Sequence, residues 1–595
     1  MKNYIYSILF IASCTIQLFA APQTLYVSIT GNDANIGSLS LPFRTISKAV
    51  SQATPGTFIY VRSGTYNEFV TLTVSGNAID GNITITNYPS ELPILDGTGL
   101  TVPSGNNGLF LLKDVSYIEI SGFEICNLKT TTKSNVPVGI HLLGIAHHIK
   151  INKNKIHNIE HNGTTSSGTD AHGIAVYGTS GTQSINNIVI SNNELYNLKL
   201  GSSESLVMNG NVELFEISGN IIHDNNNIAI DAIGFEGTAP ANDQARNGII
   251  CDNTVYNIDS YGNVAYGTDR SADGIYVDGG TNIIIERNIV HNSNIGIELA
   301  SEHAGKSTSN VVIRSNFVYL CDIAGIAIGG YNTKRGSTDN CRILNNTLYQ
   351  NDALKNGNGE LYIQFDTRNN FIVNNIIYAN SQNIFMTNSY TQNTGNFVDR
   401  NLYYSASGQN VGEWQWKNVS YTGFAAYKTA TKNDTTSIFA DPKLNPLGFS
   451  IFPITMYQSP ALDAGIIVDS IGIQDIAKNP RVLNNKIDIG ASENPQLWDG
   501  VNESMNQNRN YLLMNSFPNP FNPSTTINFE LPKSSNVKME ILDISGKFIT
   551  SISNGFFSKG KHQIVFNAEG IRSGIYFCRL TSEYYTGISK LVLLK

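Results

Sequence analysis

The feature that most constrains this chain is a short unit that returns nine times. It reads Ile-x-x-Asn-x-aliphatic-Tyr/His, as INKNKIH (151–157), ISNNELY (190–196), ISGNIIH (217–223), ICDNTVY (250–256), IERNIVH (285–291), IRSNFVY (313–319), ILNNTLY (343–349) and IVNNIIY (372–378), with a looser copy, VDRNLYY, at 398–404. The shared residues are Asn154, Asn193, Asn220, Asn253, Asn288, Asn316, Asn346, Asn375 and Asn401, at intervals of 26 to 39 residues. A constant unit at elastic spacing means one rung per copy, with insertions confined to turns. Such rungs stack at roughly 4.8 Å, so the pattern predicts a parallel β-helix. Buried asparagines would form a ladder, each amide bonding the rungs above and below. His157, His223 and His291 share one column with Tyr196, Tyr256, Tyr319, Tyr349 and Tyr378. They are expected to be stacked structural residues rather than ligands or bases.

Composition agrees with strands and turns. Charged residues are 14% of the chain, against roughly 25% in an ordinary soluble protein. The net charge of −8 leaves no basic face for nucleic acid. No long apolar run follows the first residues, and mean hydropathy is −0.13, which excludes a polytopic helical membrane protein. Residues 1–20 read as a signal peptide, with Lys2 before an apolar stretch and cleavage near Ala20. Five cysteines remain beyond it: Cys126, Cys251, Cys321, Cys341 and Cys578. They are odd in number and without a CxxC or Cys/His set, so neither zinc nor a disulfide framework is expected to hold the fold.

At the start of the expected mature chain, GNDANIG (31–37), PFRTISKAV (42–50), TPGTFIYVRSGTY (55–66) and ITNYPSELPILDG (85–97) read as strand, turn, short amphipathic helix and strands. The helix would plug the open end of the solenoid. These segments, with FADPKL (439–444), SPALDAG (459–465) and DIGASE (488–493), closely resemble right-handed parallel β-helix proteins of the pectin-lyase-like superfamily over residues 24–495. That superfamily includes pectate and alginate lyases and several glycosidases. The resemblance implies the fold strongly and the reaction weakly.

A polar linker (496–510) precedes a last module, 511–595, whose alternating segments read as a small β-sandwich. Its PNPF (518–521), DISGK (543–547) and SGIYF (573–577) are very similar to the C-terminal sorting domain of the type IX secretion system. The resemblance implies the type IX machinery as a partner, and a secreted or cell-surface location. The expected fold class is therefore all-β: a right-handed parallel β-helix (21–495) followed by a small C-terminal β-sandwich, in a monomer.

The strand that precedes each ladder unit can be aligned as GIHLLG (139–144), GIAVYG (173–178), AIDAIG (229–234), GIYVDG (274–279), GIELAS (296–301), GIAIGG (325–330) and ELYIQF (360–365). Strand alternation sends Asp231, Tyr276, Glu298 and Tyr362 outward in one column, with Asp278 and Gln364 beside them. Long insertions flank these strands and would wall a groove, adding His172, Asp273, Glu302 and His303. Asp278 and Glu298 lie one rung apart and two residues along, roughly 8 Å between Cα atoms. Asp231 and Glu298 share a column two rungs apart. Glu298 and Asp278 are expected to face solvent.

Three chemistries fit this strip. A carboxylate pair, Glu298 with Asp278 or Asp231, would hydrolyse glycosidic bonds, with Tyr276 and Tyr362 stacking on sugar rings and Gln364 and His303 meeting hydroxyls. Alternatively, β-elimination of a uronate polymer would need a base and Ca²⁺ or a cationic side chain. No Lys or Arg occupies the outward columns, leaving only loop residues such as Arg270, Lys334 or Arg335. The third chemistry is non-catalytic glycan binding or adhesion. The favoured expectation is a secreted, polysaccharide-cleaving glycoside hydrolase. Its cofactor is undetermined, with Ca²⁺ as the candidate.

Overall fold

A computed structural model describes residues 23–445, 453–456, 458–494, 513–519, 521–531, 533–543, 548–582 and 586–593. The signal peptide (1–20), the linker (496–510) and most of the DISGK motif lie outside them. The chain divides into two compact units, Met1–Pro495 and Gln496–Lys595.

Within the first unit the chain winds through three long sheets of sixteen, thirteen and thirteen strands, counted among the described residues. Each turn visits the three in order: His172–Gly178, then Ile185–Ser191, then Glu194–Tyr196, before Leu206–Gly210 starts the next rung. Strands of successive rungs pair in parallel, as His172–Gly178 does with Leu206–Gly210, while Glu413–Trp416 and Val419–Thr422 pair antiparallel at the end of the coil. The architecture is a parallel β-helix.

The asparagine ladder is continuous. Asn193 Nδ2 donates to Asn220 Oδ1 at 3.0 Å, Asn220 to Asn253 at 3.0 Å and Asn253 to Asn288 at 2.9 Å, and the series runs from Asn154 to Asn401. Each Oδ1 also accepts the backbone N–H of the preceding ladder residue, as Asn220 N does to Asn253 at 2.9 Å. The second amide hydrogen goes to a strand carbonyl, as from Asn220 to Ile190 at 2.9 Å. A buried amide with every donor and acceptor engaged avoids the penalty of an unpaired polar group. The residue before each ladder asparagine sits in the left-handed region, Asn192 at φ 55° and Arg287 at φ 55° among them. That backbone bend turns the chain from one sheet into the next.

On the outer face of the third sheet, His157, Tyr196, His223, Tyr256, His291 and Tyr319 stack with centroids 4.6 to 5.2 Å apart, the stacking that the repeat implied. The helix Ile46–Ser51 buries Ile46, Ala49 and Val50 over the first rungs, and Thr45 caps it by accepting the Lys48 N–H at 3.1 Å. At the other end Trp414, Phe424 and Tyr427 close the core. The segment that follows returns along the coil and packs Ile471 and Ile487 on Leu344 and Val373.

Among the described residues, the second unit contains a three-stranded and a four-stranded antiparallel sheet. Phe529 and Ile527 from one share a core with Val537, Met539, Ile541 and Leu580 from the other.

Candidate functional site

The site lies on the sheet formed by Leu206–Gly210, Ile230–Ile233, Asp273–Asp278, Ile295–Ala300, Ala324–Ile328 and Leu361–Ile363. Its register pairs Asp231 with Tyr276, Tyr276 with Glu298, Glu298 with Ala327 and Ala327 with Tyr362, while Asp278 pairs with Ala300. The outward column and the Asp278–Glu298 offset are those expected from alternation.

Their exposure is not. Asp231, Asp278 and Glu298 retain 2%, 4% and 7% of their surface, because the flanking insertions fold over the strip instead of standing clear of it. Tyr276 is likewise buried, packed with Ile228 and Ala300, so it offers no open platform for a sugar ring. Tyr362 remains half-buried. Asp273, expected in a loop, is the first residue of its strand and is buried.

Polar contacts fix these groups. Gln364 Nε2 donates to Glu298 Oε1 at 2.7 Å, and the backbone N–H of Glu302 donates to Asp278 Oδ1 at 2.7 Å. The Asp231 and Asp273 carboxyls each keep one buried oxygen without a hydrogen-bond partner. Among the described residues none of Asp231, Asp273, Asp278 and Glu298 pairs with Lys or Arg. Of the loop cations, Arg270 pairs with Asp259 and Asp322, and Arg335 pairs with Glu302 on the rim at 3.5 Å.

Burial without counter-charge holds protons on these acids. Burial raises Asp231, Asp273 and Asp278 well above the carboxylate range, and neighbouring carboxylates add to it. For Glu298 burial dominates too, but the Gln364 amide and the Asp273 carboxyl hydrogen-bond to it and hold it to about 7. Glu298 is therefore positioned to exchange a proton near neutrality.

Two acids not singled out from the sequence join the strip. Glu204 precedes the strand Leu206–Gly210 and is buried, with Glu236 and Asp170 adding to its raised pKa. Glu236 follows Ile230–Ile233, in the GFEG turn. The scarcity of charge was the available signal, since neither residue sits in an aligned column. His172 joins Glu204 instead of the central acids: its Nδ1 meets the Glu204 carbonyl at 3.0 Å, and burial lowers its pKa to about 4, leaving it neutral. Glu302 is half-buried at the rim. His303 meets Asp278 and Glu236, with one donor atom from each within 4.8 Å of the others. Two carboxylates and an imidazole suit a divalent cation, and the carboxylate oxygens are of the type Ca²⁺ prefers.

Family models match three parts of the chain: a Pel9A-like, right-handed β-helix region at 25–198, a right-handed β-helix region at 138–338 and 263–433, and a secretion-system C-terminal sorting domain at 515–594. YwoF of Bacillus subtilis (strain 168), an uncharacterized protein, is 44% identical over 419 residues, covering 70% of this chain and 88% of YwoF. Pectate lyase PEL9 of Emericella nidulans is 29% identical over 146 residues, 20% of this chain and 35% of that enzyme. Among solved structures, XylC in complex with xylose gives a TM-score of 0.47 at 12% identity, covering 79% of this chain and 98% of XylC. Pectate lyase Pel9A gives 0.39 at 14% identity, covering 80% and 97%. The sorting domain marks the protein for export by the type IX machinery, to the cell surface or the medium. With its stacked rungs, its ladder and 88% of YwoF matched, the chain belongs to the right-handed parallel β-helix family that includes YwoF.

Proposed function

We propose that this exported protein cleaves glycosidic bonds in a polysaccharide by hydrolysis, using Glu298 and Asp278. The observation that carries the reading is two buried carboxyls on adjacent rungs, offset by two residues, both raised by burial and neither paired with Lys or Arg among the described residues. Glu298, which titrates near 7 and accepts the Gln364 amide, is the ionised partner that activates water. Asp278, whose carboxyl burial raises well above the ordinary carboxylate range, keeps its proton and delivers it to the departing glycosidic oxygen. Rung spacing and strand rise separate their Cα atoms by roughly 8 Å. That is compatible with the inverting arrangement, whose carboxyls lie about 6.5–9.5 Å apart. Asp231 is the alternative partner. Tyr362 at the edge of the strip is left to stack on a sugar, and Glu302, on the rim, to meet its hydroxyls.

β-Elimination is the second reading. It is supported by the similarity to a pectate lyase and by the Glu236–Asp278–His303 cluster, which would hold a Ca²⁺ ion able to neutralise a uronate carboxylate. The purified protein should be incubated with a panel of neutral and uronate polysaccharides. New reducing ends without an ultraviolet-absorbing unsaturated product support hydrolysis. An unsaturated product that disappears with a chelator replaces hydrolysis with elimination, and binding without cleavage leaves an adhesive β-helix.

A further inference from the structure

A second cluster lies on another sheet, where the aromatic stack stops. His157 is the first ring of that stack, with Tyr196 on one side at 4.8 Å. On its other side the register places Cys126 directly opposite, and Asp96 opposite Cys126. Glu124 lies two residues before Cys126 on the same strand and therefore on the same outward face. One ligand atom each from Glu124, Cys126 and His157 lie within 4.8 Å of one another. The sequence separates Cys126 from His157 by a whole rung, which is why no Cys/His spacing announced them.

The orientation of the imidazole is dictated from behind. Glu160 is ion-paired with Lys129 at 2.8 Å, so its carboxylate can only accept. Asn158 must turn its NH₂ to Glu160, at 3.2 Å, which leaves its carbonyl oxygen 2.7 Å from His157 Nδ1. Nδ1 is thus the N–H donor, and a neutral ring aims the lone pair of Nε2 at Glu124 Oε1, 3.2 Å away. Two lone pairs facing each other at that distance require a cation between them, either a second proton on the ring or a metal ion. An imidazole locked by a hydrogen bond through its other nitrogen is the usual setting of a metal-ligating histidine. The nearby thiol supplies a soft donor that a proton would not need.

We propose that Glu124, Cys126 and His157 bind a zinc ion. Thiolate, imidazole and carboxylate are all zinc donors, at about 2.3, 2.0 and 2.1 Å, and the usual fourth position is left to water. Cys126 ligates as thiolate, so its proton passes to solvent as the ion enters. The site is separate from the acidic strip and independent of the proposed reaction. It ties the strand Glu124–Cys126 to Lys155–His157 where no further ring continues the stack. An ion that binds only the folded chain raises its unfolding temperature.

The test is Co²⁺ titration of the full secreted chain, followed by displacement with Zn²⁺. The expected result is one Co²⁺ per chain with a thiolate-to-cobalt charge-transfer band that Zn²⁺ abolishes. Cys126→Ser should lose the band, and Glu124→Gln, which keeps the thiol and the ring, should weaken uptake at least tenfold. Cys251→Ser, a buried thiol elsewhere, should bind as wild type. No stoichiometric uptake would mean that the His157–Glu124 contact is a protonated ion pair and would overturn the proposal. So would uptake without the charge-transfer band, which would place the ion at Glu236, Asp278 and His303, and so would a band that survives Cys126→Ser.

Discussion

Gln364 donates its side-chain amide to Glu298 across two rungs of the coil, at 2.7 Å, with both groups buried. It is the contact that most directly sets the protonation of the acid at the centre of the strip. A hydrogen bond to the ionised form favours that form, and bonds to charged groups contribute about 1.5–3 kcal/mol. Gln364→Leu should therefore raise the Glu298 pKa by roughly one to two units. The acidic limb of the pH–rate profile would move to higher pH by that amount. A profile unchanged in position would separate Gln364 from the ionisation that limits turnover.

Glu298→Gln and Asp278→Asn should each reduce turnover by about 10²–10⁴, the usual contribution of a group that transfers a proton. Product assays on the purified variants check this, and wild-type rates in both would remove the strip from the chemistry.

Burial makes the same residues pH-dependent in stability. The folded pKa of Glu298 is raised from 4.5 to about 7, so the folded state holds the proton more tightly than the unfolded chain. Its contribution is fully favourable below the unfolded pKa and is lost as pH climbs through about 7. The loss is on the order of 3 kcal/mol. Unfolding midpoints in urea should fall between pH 4.5 and 7, and Glu298→Gln should flatten that slope. A solvent-facing acid would have shown no such effect, so burial changes the expected outcome of the substitution as well as its chemistry.

Asn253→Ala should be among the costliest single changes in the coil. It removes the acceptor for both the backbone and side-chain N–H of Asn220, and the donor to Ile217. Each buried group left unpaired costs about 1–3 kcal/mol. His291→Gln, in the outer stack, should cost roughly 0.5–1.5 kcal/mol, the usual worth of one aromatic contact. Equal losses in denaturant melts would mean that the ladder is not the principal tie between rungs.

Truncation near Gly500 should leave a soluble β-helix that binds and processes substrate in the periplasm, because the sorting domain has its own core. Fractionation and assay of the truncated chain check both halves of this expectation. Loss of activity in the purified truncation would show that the sorting domain contributes to the site.

The coil was legible in the sequence because its determinants repeat. Asn220, Asn253 and Asn288 must each meet the rung above and below, so their recurrence at 33 and 35 residues reports the rung directly, whatever the loops between them do. Strand alternation placed Asp231, Tyr276 and Glu298 in one outward column for the same reason. What only the tertiary structure decided is what happens beyond the strands. Insertions carry no period, so nothing local recorded that they close over the strip, bury Asp278 and Tyr276, and bring Glu204 and Glu236 toward it. Nor could spacing along the chain show that Cys126 faces His157, since that contact exists only after one full turn of the coil has been wound. Periodic contacts are written into a sequence, whereas aperiodic ones arise from the path the chain takes between them.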